Sequence, residues 1–194
     1  MARPTVTDQR KEEILSAYER CIARFGVAGT TLASIADEAG LSRPLVRHHV
    51  GNQDDLLQQA LERFMKRTGE MLDVLQPEAF ASIDGFVDLL FQQDQAGTSN
   101  DTLIASAFII ASVGNPDIRS EMQDWLQLEQ KWMESHFDYH FPKAPAMLRN
   151  AVAAGVLGIF FNVDSLTPLR ALPRLNENSK EAVRLLIRSL EPSD

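Results

Sequence analysis

Apolar residues make up 44% of this 194-residue chain and charged ones 24%, a balance that supplies a buried core and excludes a disordered polymer. The single cysteine, Cys21, excludes an internal disulfide framework and reads as a small buried apolar residue. The longest apolar run, Ala151 to Phe161, falls short of the roughly 20 residues that cross a bilayer. The polar start MARPTVTDQRKEE lacks the pattern of a signal peptide, so a soluble cytoplasmic protein that meets no membrane is expected.

The formal net charge of -8 is unevenly spread: residues 1–53 carry seven Lys/Arg against six Asp/Glu, and residues 54–194 carry twelve against twenty-one. The first segment is therefore free to approach phosphate, although its small positive balance only permits this. A small domain, 1–53, joined to a larger one, 54–194, is expected.

Along the chain the apolar spacing is helical throughout. Ile14, Leu15, Tyr18, Ile22 and Phe25 mark a first helix, opened by Thr7 or Asp8 and stopped at Gly26. Thr30 and Thr31 precede a two-turn helix with Leu32, Ile35, Ala36 and Ala39, ended by Gly40 in the left-handed conformation. Ser42 opens a third helix from Arg43 to about His49, with Pro44 in the first turn where its missing N–H is harmless. Asn52 opens a long fourth helix carrying Leu56, Leu57, Ala60, Leu61, Phe64, Met65 and Leu72. Beyond it, breakers at Gln76-Pro77, Gly97 to Asn100, Asn115-Pro116, Pro142 to Pro145 and Thr167 to Ser179 separate five further helices, roughly 78–95, 101–113, 117–140, 145–162 and 177–190. No period-two alternation, Gly-rich phosphate loop or fixed repeat is visible. The class is all-α, about nine helices, and no cofactor is expected.

Two short helices joined by the tight Ala39-Gly40-Leu41 turn make a helix-turn-helix, whose second helix lies in the major groove with its N-terminal residues at the base edges. Arg43, Pro44, Arg47 and His48 fall on its outward side, and arginine is the side chain that reads guanine through a bidentate pair. Any amphipathic helix shows charge outward, so the arginines alone decide little. The N-termini opened by Thr30-Thr31 and by Asn52 add N–H groups for phosphate on either side.

From about Asp8 to Leu57 the chain resembles the DNA-binding domain of the TetR family of transcriptional regulators, on Phe25-Gly26, Gly29-Thr30-Thr31, Ile35-Ala36, Ala39-Gly40, Ser42, His49 and Leu56. By position, the resemblance implies base contacts from Arg43, Pro44 and Leu45, phosphate or groove-wall contacts from Arg47, His48 and His49, and a phosphate contact from Thr30 and Thr31. Arg47 stands where a tyrosine is common, and Gln53 replaces a common lysine at the start of the fourth helix. The resemblance further implies a ligand-responsive repressor that grips a pseudo-palindromic double-stranded operator as a homodimer and lets go when a small molecule binds.

The residues themselves support the dimer. The helix PAMLRNAVAAGVLGIFFN is apolar nearly all round, and Met147, Ala151, Ala154, Gly155 and Gly158 are its candidate contacts. Val183, Leu186, Ile187 and Leu190 form a stripe on the last helix, and these two helices with their symmetry mates would close a four-helix, two-fold interface. An ordinary intrachain core is the competing reading. For the effector, the candidates are Phe64, Met65, Phe91, Phe108, Met122, Trp125, Phe160 and Phe161, drawn from a wider aromatic set that includes Phe86 and Trp132; collectively they suggest a cavity for an apolar or aromatic molecule. His136 and His140 share a helix face, but no third ligand stands at motif spacing, so they read as a solvated helix end and not as a metal site. No nucleophile-base-acid arrangement is present, so an enzyme is not indicated. The rival to a regulator is a helical small-molecule carrier without a DNA role.

Overall fold

Capping chemistry and helical spacing together produce nine α-helices among the residues that the computed structural model describes, which are 6–92, 100–166, 169 and 174–191. They are α1 (Val6–Gly29), α2 (Leu32–Ala39), α3 (Arg43–Val50), α4 (Gln53–Val74), α5 (Ile83–Leu90), α6 (Asp101–Ala111), α7 (Pro116–His140), α8 (Ala146–Ser165) and α9 (Leu175–Arg188). No strand occurs among the described residues, as the all-α reading expects. The breakers expected at residues 97–99, 167–168 and 170–173, and the end of the helix expected over 78–95, lie outside the described residues.

Two compact units emerge: residues 1–67 with 100–123, and residues 68–99 with 124–194. In the first, α1 packs on α2, α3 and α6 and turns Ile14, Leu15, Tyr18 and Ile22 inward, all at 3% exposure or less; Ile35 of α2, Val46 and Val50 of α3, Leu56 and Phe64 of α4, and Ile104 and Phe108 of α6 are buried in the same unit. Each large apolar side chain so buried contributes about 1.5–3 kcal/mol. Polar fasteners fix the outer edges of this packing. Arg67 donates to Glu19 of α1 at 3.0 and 3.2 Å and to Asp101 of α6 at 2.6 Å, while Arg63 donates to Ser16 at 3.0 Å. Cys21 is buried, its thiol directed at the Ser34 carbonyl and pushed above its ordinary pKa by burial, as suits a packing residue.

In the second unit, Leu72, Phe86, Val87, Trp132, Met133, Phe137, Val152, Ala153, Val156, Val183, Ile187 and Leu190 form one core. His136 lies within it, not at a solvated helix end: its exposure is 0%, and its ring stacks on Phe86 with centroids 3.8 Å apart. Its Nε2–H donates to the Leu75 carbonyl at 3.0 Å, which also accepts from the Trp132 indole at 2.8 Å. Burial drives the His136 pKa down to about 4, so the ring is neutral. The helix spacing that places His136 and His140 on one face thus serves packing, and no group of three or more His, Cys, Asp or Glu is placed to hold a metal among the described residues.

Element ends differ from the sequence expectation where side-chain caps intervene. The helical stretch expected from residue 78 begins only at Ile83, because Ser82 sits in extended backbone and its hydroxyl accepts from the Gly85 N–H; a 3-10 turn, Pro77–Ala79, precedes it. Gly26 has non-helical backbone as expected of a stop, yet the helix resumes beyond this kink to Gly29. α8 is longer than its apolar run: over its 20 residues it is long and apolar enough to cross a membrane by length and composition, with 17% of its most apolar window buried.

Candidate nucleic-acid interface and effector residues

The reading head is assembled by backbone chemistry. Thr31 Oγ1 accepts from the Ser34 N–H at 3.1 Å while Ser34 Oγ accepts from the Thr31 N–H at 2.9 Å, a reciprocal box that opens α2. At its end Gly40 takes φ 65°, ψ 32°, and the Leu41 N–H reaches back to the Ala36 carbonyl at 2.9 Å. The turn then releases the chain into α3, where Val46 and Val50 are buried and Arg43, Pro44, Leu45, Arg47 and His48 are exposed; His49 is half-buried. Leu45 therefore shares the outward face instead of joining Val46 in the core.

Nothing neutralises that face from within. Arg43, Arg47 and His48 pair with no carboxylate among the described residues, and α3 contains no acidic residue. The acid nearest in sequence on α2, Glu38, is taken by Arg20 at 2.6 Å and Arg24 at 3.3 Å, which hold its carboxyl below the ordinary range. A pair of uncompensated guanidiniums one helical turn apart is what phosphate and guanine edges attract.

The flanking residues divide. Thr31 is exposed at the N-terminus of α2, whereas Thr30 is fully buried, its hydroxyl donating to the Gly26 carbonyl at 2.7 Å. Gln53, exposed at the start of α4, donates its amide to the Thr30 carbonyl at 3.0 Å and so ties the entry of α2 to α4. That link escapes sequence reasoning, which sees only a missing lysine. The α4 entry is closed by Asn52, whose Oδ1 accepts from the Asp54 and Asp55 N–H groups at 2.8 and 2.9 Å, and by Asp55 Oδ2, which accepts from the Asn52 N–H at 3.0 Å.

The effector candidates fall into two groups, one in each unit. In the first, the Phe64 and Phe108 rings meet edge to face at 5.7 Å, with Met65 half-buried and Met122 buried. In the second, Phe91 meets Phe160 at 6.4 Å and Trp125 meets Phe161 at 6.1 Å. Sequence reasoning passed over Glu129, which is only 9% exposed on α7 one turn beyond Trp125. Its signal was legible: it occupies the inward stripe of Ile118, Met122, Trp125, Trp132 and His136.

Of the candidate dimer residues, Met147 of α8 is 85% exposed and Ala151, Ala154 and Gly158 are exposed, with Gly155 half-buried. In the last helix the stripe points the other way: Val183 and Ile187 of α9 and Leu190 just past its end lie in the core of their own unit and Leu186 packs against it, leaving Leu185 outward at 57%. Between α8 and α9 runs an open groove of about 470 Å³ lined by Ala154, Gly155, Gly158, Asn162, Asn178 and Ser179 among others.

Residues 14–60 match the family described as bacterial regulatory proteins, tetR family. The chain is 36% identical over 72 residues to the HTH-type transcriptional repressor AcnR of Corynebacterium jeikeium, 35% of this chain and 38% of that protein. It is 26% identical over 138 residues to the HTH-type transcriptional regulator BetI 1 of Chromohalobacter salexigens, 68% of this chain and 65% of that one. The matched part is thus less than two thirds of either relative. A TetR transcription regulator from Haloarcula marismortui shares the fold, with a TM-score of 0.70 at 18% identity over 93% of this chain and 97% of its own. Residues 14–60 thus carry the helix-turn-helix segment of the tetR family, and the chain as a whole shares the fold of a solved TetR regulator.

Proposed function

We propose that the chain is a one-component transcriptional repressor: residues 1–53 read DNA, and residues 54–194 form the effector-binding and dimerising part. The observation that carries this reading is the outward face of α3, where Arg43, Arg47 and His48 stand exposed without an acidic partner among the described residues. Two copies present two such helices to successive major grooves of a pseudo-palindromic operator. Thr31, at the head of α2, and His49 support the phosphate contacts, while Gln53 and the buried Thr30 hold the α2 entry in register.

The exposed small-residue face of α8, Ala151, Ala154 and Gly158 with Met147 beside it, supports pairing with a second copy, which would cover a helix that its own chain leaves largely open. On this reading the protein acts in the cytoplasm, and α8 meets protein and not lipid. An apolar or aromatic effector is met by the bundle's aromatic residues. α4, whose first turns belong to one unit and last turns to the other, is the lever: a ligand that prefers one dimer state shifts the DNA affinity with it.

Selection of random duplexes by the purified protein, with an Arg43→Ala, Arg47→Ala double variant alongside, tests the reading. Enrichment of a two-fold symmetric sequence by the parent protein and none by the variant is expected. Failure to enrich any sequence at low salt would reject the DNA role and favour a small-molecule carrier.

A further inference from the structure

The inward stripe of α7 runs Ile118, Met122, Trp125, Glu129, Trp132 and His136, each buried. Its other polar member, His136, is neutral and hydrogen-bonded to the Leu75 carbonyl. Glu129 is different. The residue is only 9% exposed, and its carboxyl, whose oxygens keep a narrow contact with solvent, has no hydrogen bond and no ion pair among the described residues; burial lifts its pKa from 4.5 to about 7. A largely buried carboxylate without a protein partner is unfavourable, and an apolar residue of like size would pack there at no such penalty. Its surroundings are aromatic. Trp125 lies one turn before it and Trp132 one turn after it on the same helix face, and the Trp125 indole packs against Phe161 of α8.

An organic cation removes the penalty. Its positive charge supplies the missing partner, and its apolar substituents lie against indole and phenyl faces whose electron density attracts positive charge. A neutral or anionic molecule does neither. We propose that Glu129 is the charge-recognising residue of the effector site, and that the effector is an organic cation, a quaternary ammonium or protonated amine on an apolar body. This rests on the reading of the bundle as effector-binding and narrows it from an apolar molecule to a cationic one.

Both tryptophans of the chain, Trp125 and Trp132, flank Glu129, so intrinsic fluorescence of the full-length protein reports on this face. The probes are phenyltrimethylammonium and its neutral isostere tert-butylbenzene, and, at larger size, tetraphenylphosphonium and neutral triphenylphosphine oxide. The expected result is tighter binding of the cation in at least one size pair, a loss of roughly tenfold or more in that affinity in Glu129→Gln, and little change for the neutral partner. Glu129→Asp, which keeps the charge, should retain the cation preference and guards against a merely structural effect of the substitution. Equal cation affinity in the parent and in Glu129→Gln overturns the inference. Neutral probes binding as tightly as their cations overturn it too, and leave the bundle as an effector site for uncharged molecules. Binding of neither class rejects both this inference and the effector reading of this face.

Discussion

Arg43 and Thr31 separate two ways in which a side chain can matter to DNA. Arg43 is exposed in the first turn of α3 and holds no contact with a carboxylate among the described residues, so Arg43→Ala should leave stability unchanged and relax base choice at one operator position by about 1–3 kcal/mol, read from selection on point-substituted duplexes. Uniform weakening on every duplex would assign it to phosphate instead. Thr31 caps α2 as well as facing outward, so Thr31→Ala should weaken all sequences alike and also lower stability by roughly 1 kcal/mol. Glu129 and His136 form a second contrast, this time in pH. Glu129, raised to about 7, favours the fold when protonated, so its contribution is present below its ordinary 4.5 and is lost as pH rises through 7. His136, lowered to about 4, favours the fold when neutral, so its contribution is present above 6.5 and is lost as pH falls towards 4. Each is worth on the order of 3 kcal/mol, and over the shared window they oppose each other. Urea unfolding of Glu129→Gln should therefore show a steeper loss of stability on acidification than the parent and a higher stability at pH 8. Parallel curves for the two proteins would show that Glu129 is solvated in the free chain.

At the scale of elements, two glycines of the reading head differ in what they tolerate. Gly40 ends α2 at φ 65° with open space where a Cβ would stand, so Gly40→Ala meets only backbone strain, about 1 kcal/mol. Gly51, between α3 and α4, has φ 83°, and a Cβ there would clash with Asp55 Oδ2, the oxygen that accepts from the Asn52 N–H. Gly51→Ala should therefore cost more than Gly40→Ala, by roughly a further 1 kcal/mol from the broken cap, in denaturant titrations. Equal losses would show that the Asp55 side chain moves aside freely. These elements also show what the sequence can carry. Helical spacing with Thr31, Gly40, Ser42 and Asn52 as punctuation is local information, and it places α2, α3 and the start of α4 within a residue or so. The stretch 78–82 misleads because Phe80, Ile83, Phe86 and Val87 keep helical spacing across a turn that Pro77 and the Ser82 cap impose. The stripe of the last helix misleads for another reason: periodicity shows that Val183, Ile187 and, just past the end of α9, Leu190 are covered but not by what, and they lie in one core with residues of α4, α5, α7 and α8 of the same unit. Outward Arg43, Arg47 and His48 were legible from the pattern of α3. Gln53 donating to the Thr30 carbonyl was not, since it joins residues 23 apart in a chain whose helix packing no local pattern contains.

For the whole molecule the decisive question is whether α8 is covered by a second copy. Its exposed residues include the small apolar Ala151, Ala154 and Gly158 over two turns, between the exposed Asn150 and Asn162, while Val152, Ala153 and Val156 anchor it to its own core and Arg149 pairs with Asp138 at 2.6 Å. A charge placed at Ala154 points away from that core, so Ala154→Glu should fold normally by circular dichroism. In a paired α8 face the same carboxylate meets its own symmetry copy across the two-fold axis, buried and like-charged, which is strongly unfavourable. Sedimentation should then show the parent at twice the chain mass and Ala154→Glu as a monomer. Operator affinity should fall with it, because a lone head forms only half of the phosphate contacts; the slope of log affinity against log salt should fall by about half as well. An Ala154→Glu variant that stays dimeric would move the interface off this face of α8. A variant that becomes monomeric yet keeps the full salt slope would separate dimerisation from DNA binding, and with it would fail the view that two reading heads grip one operator together.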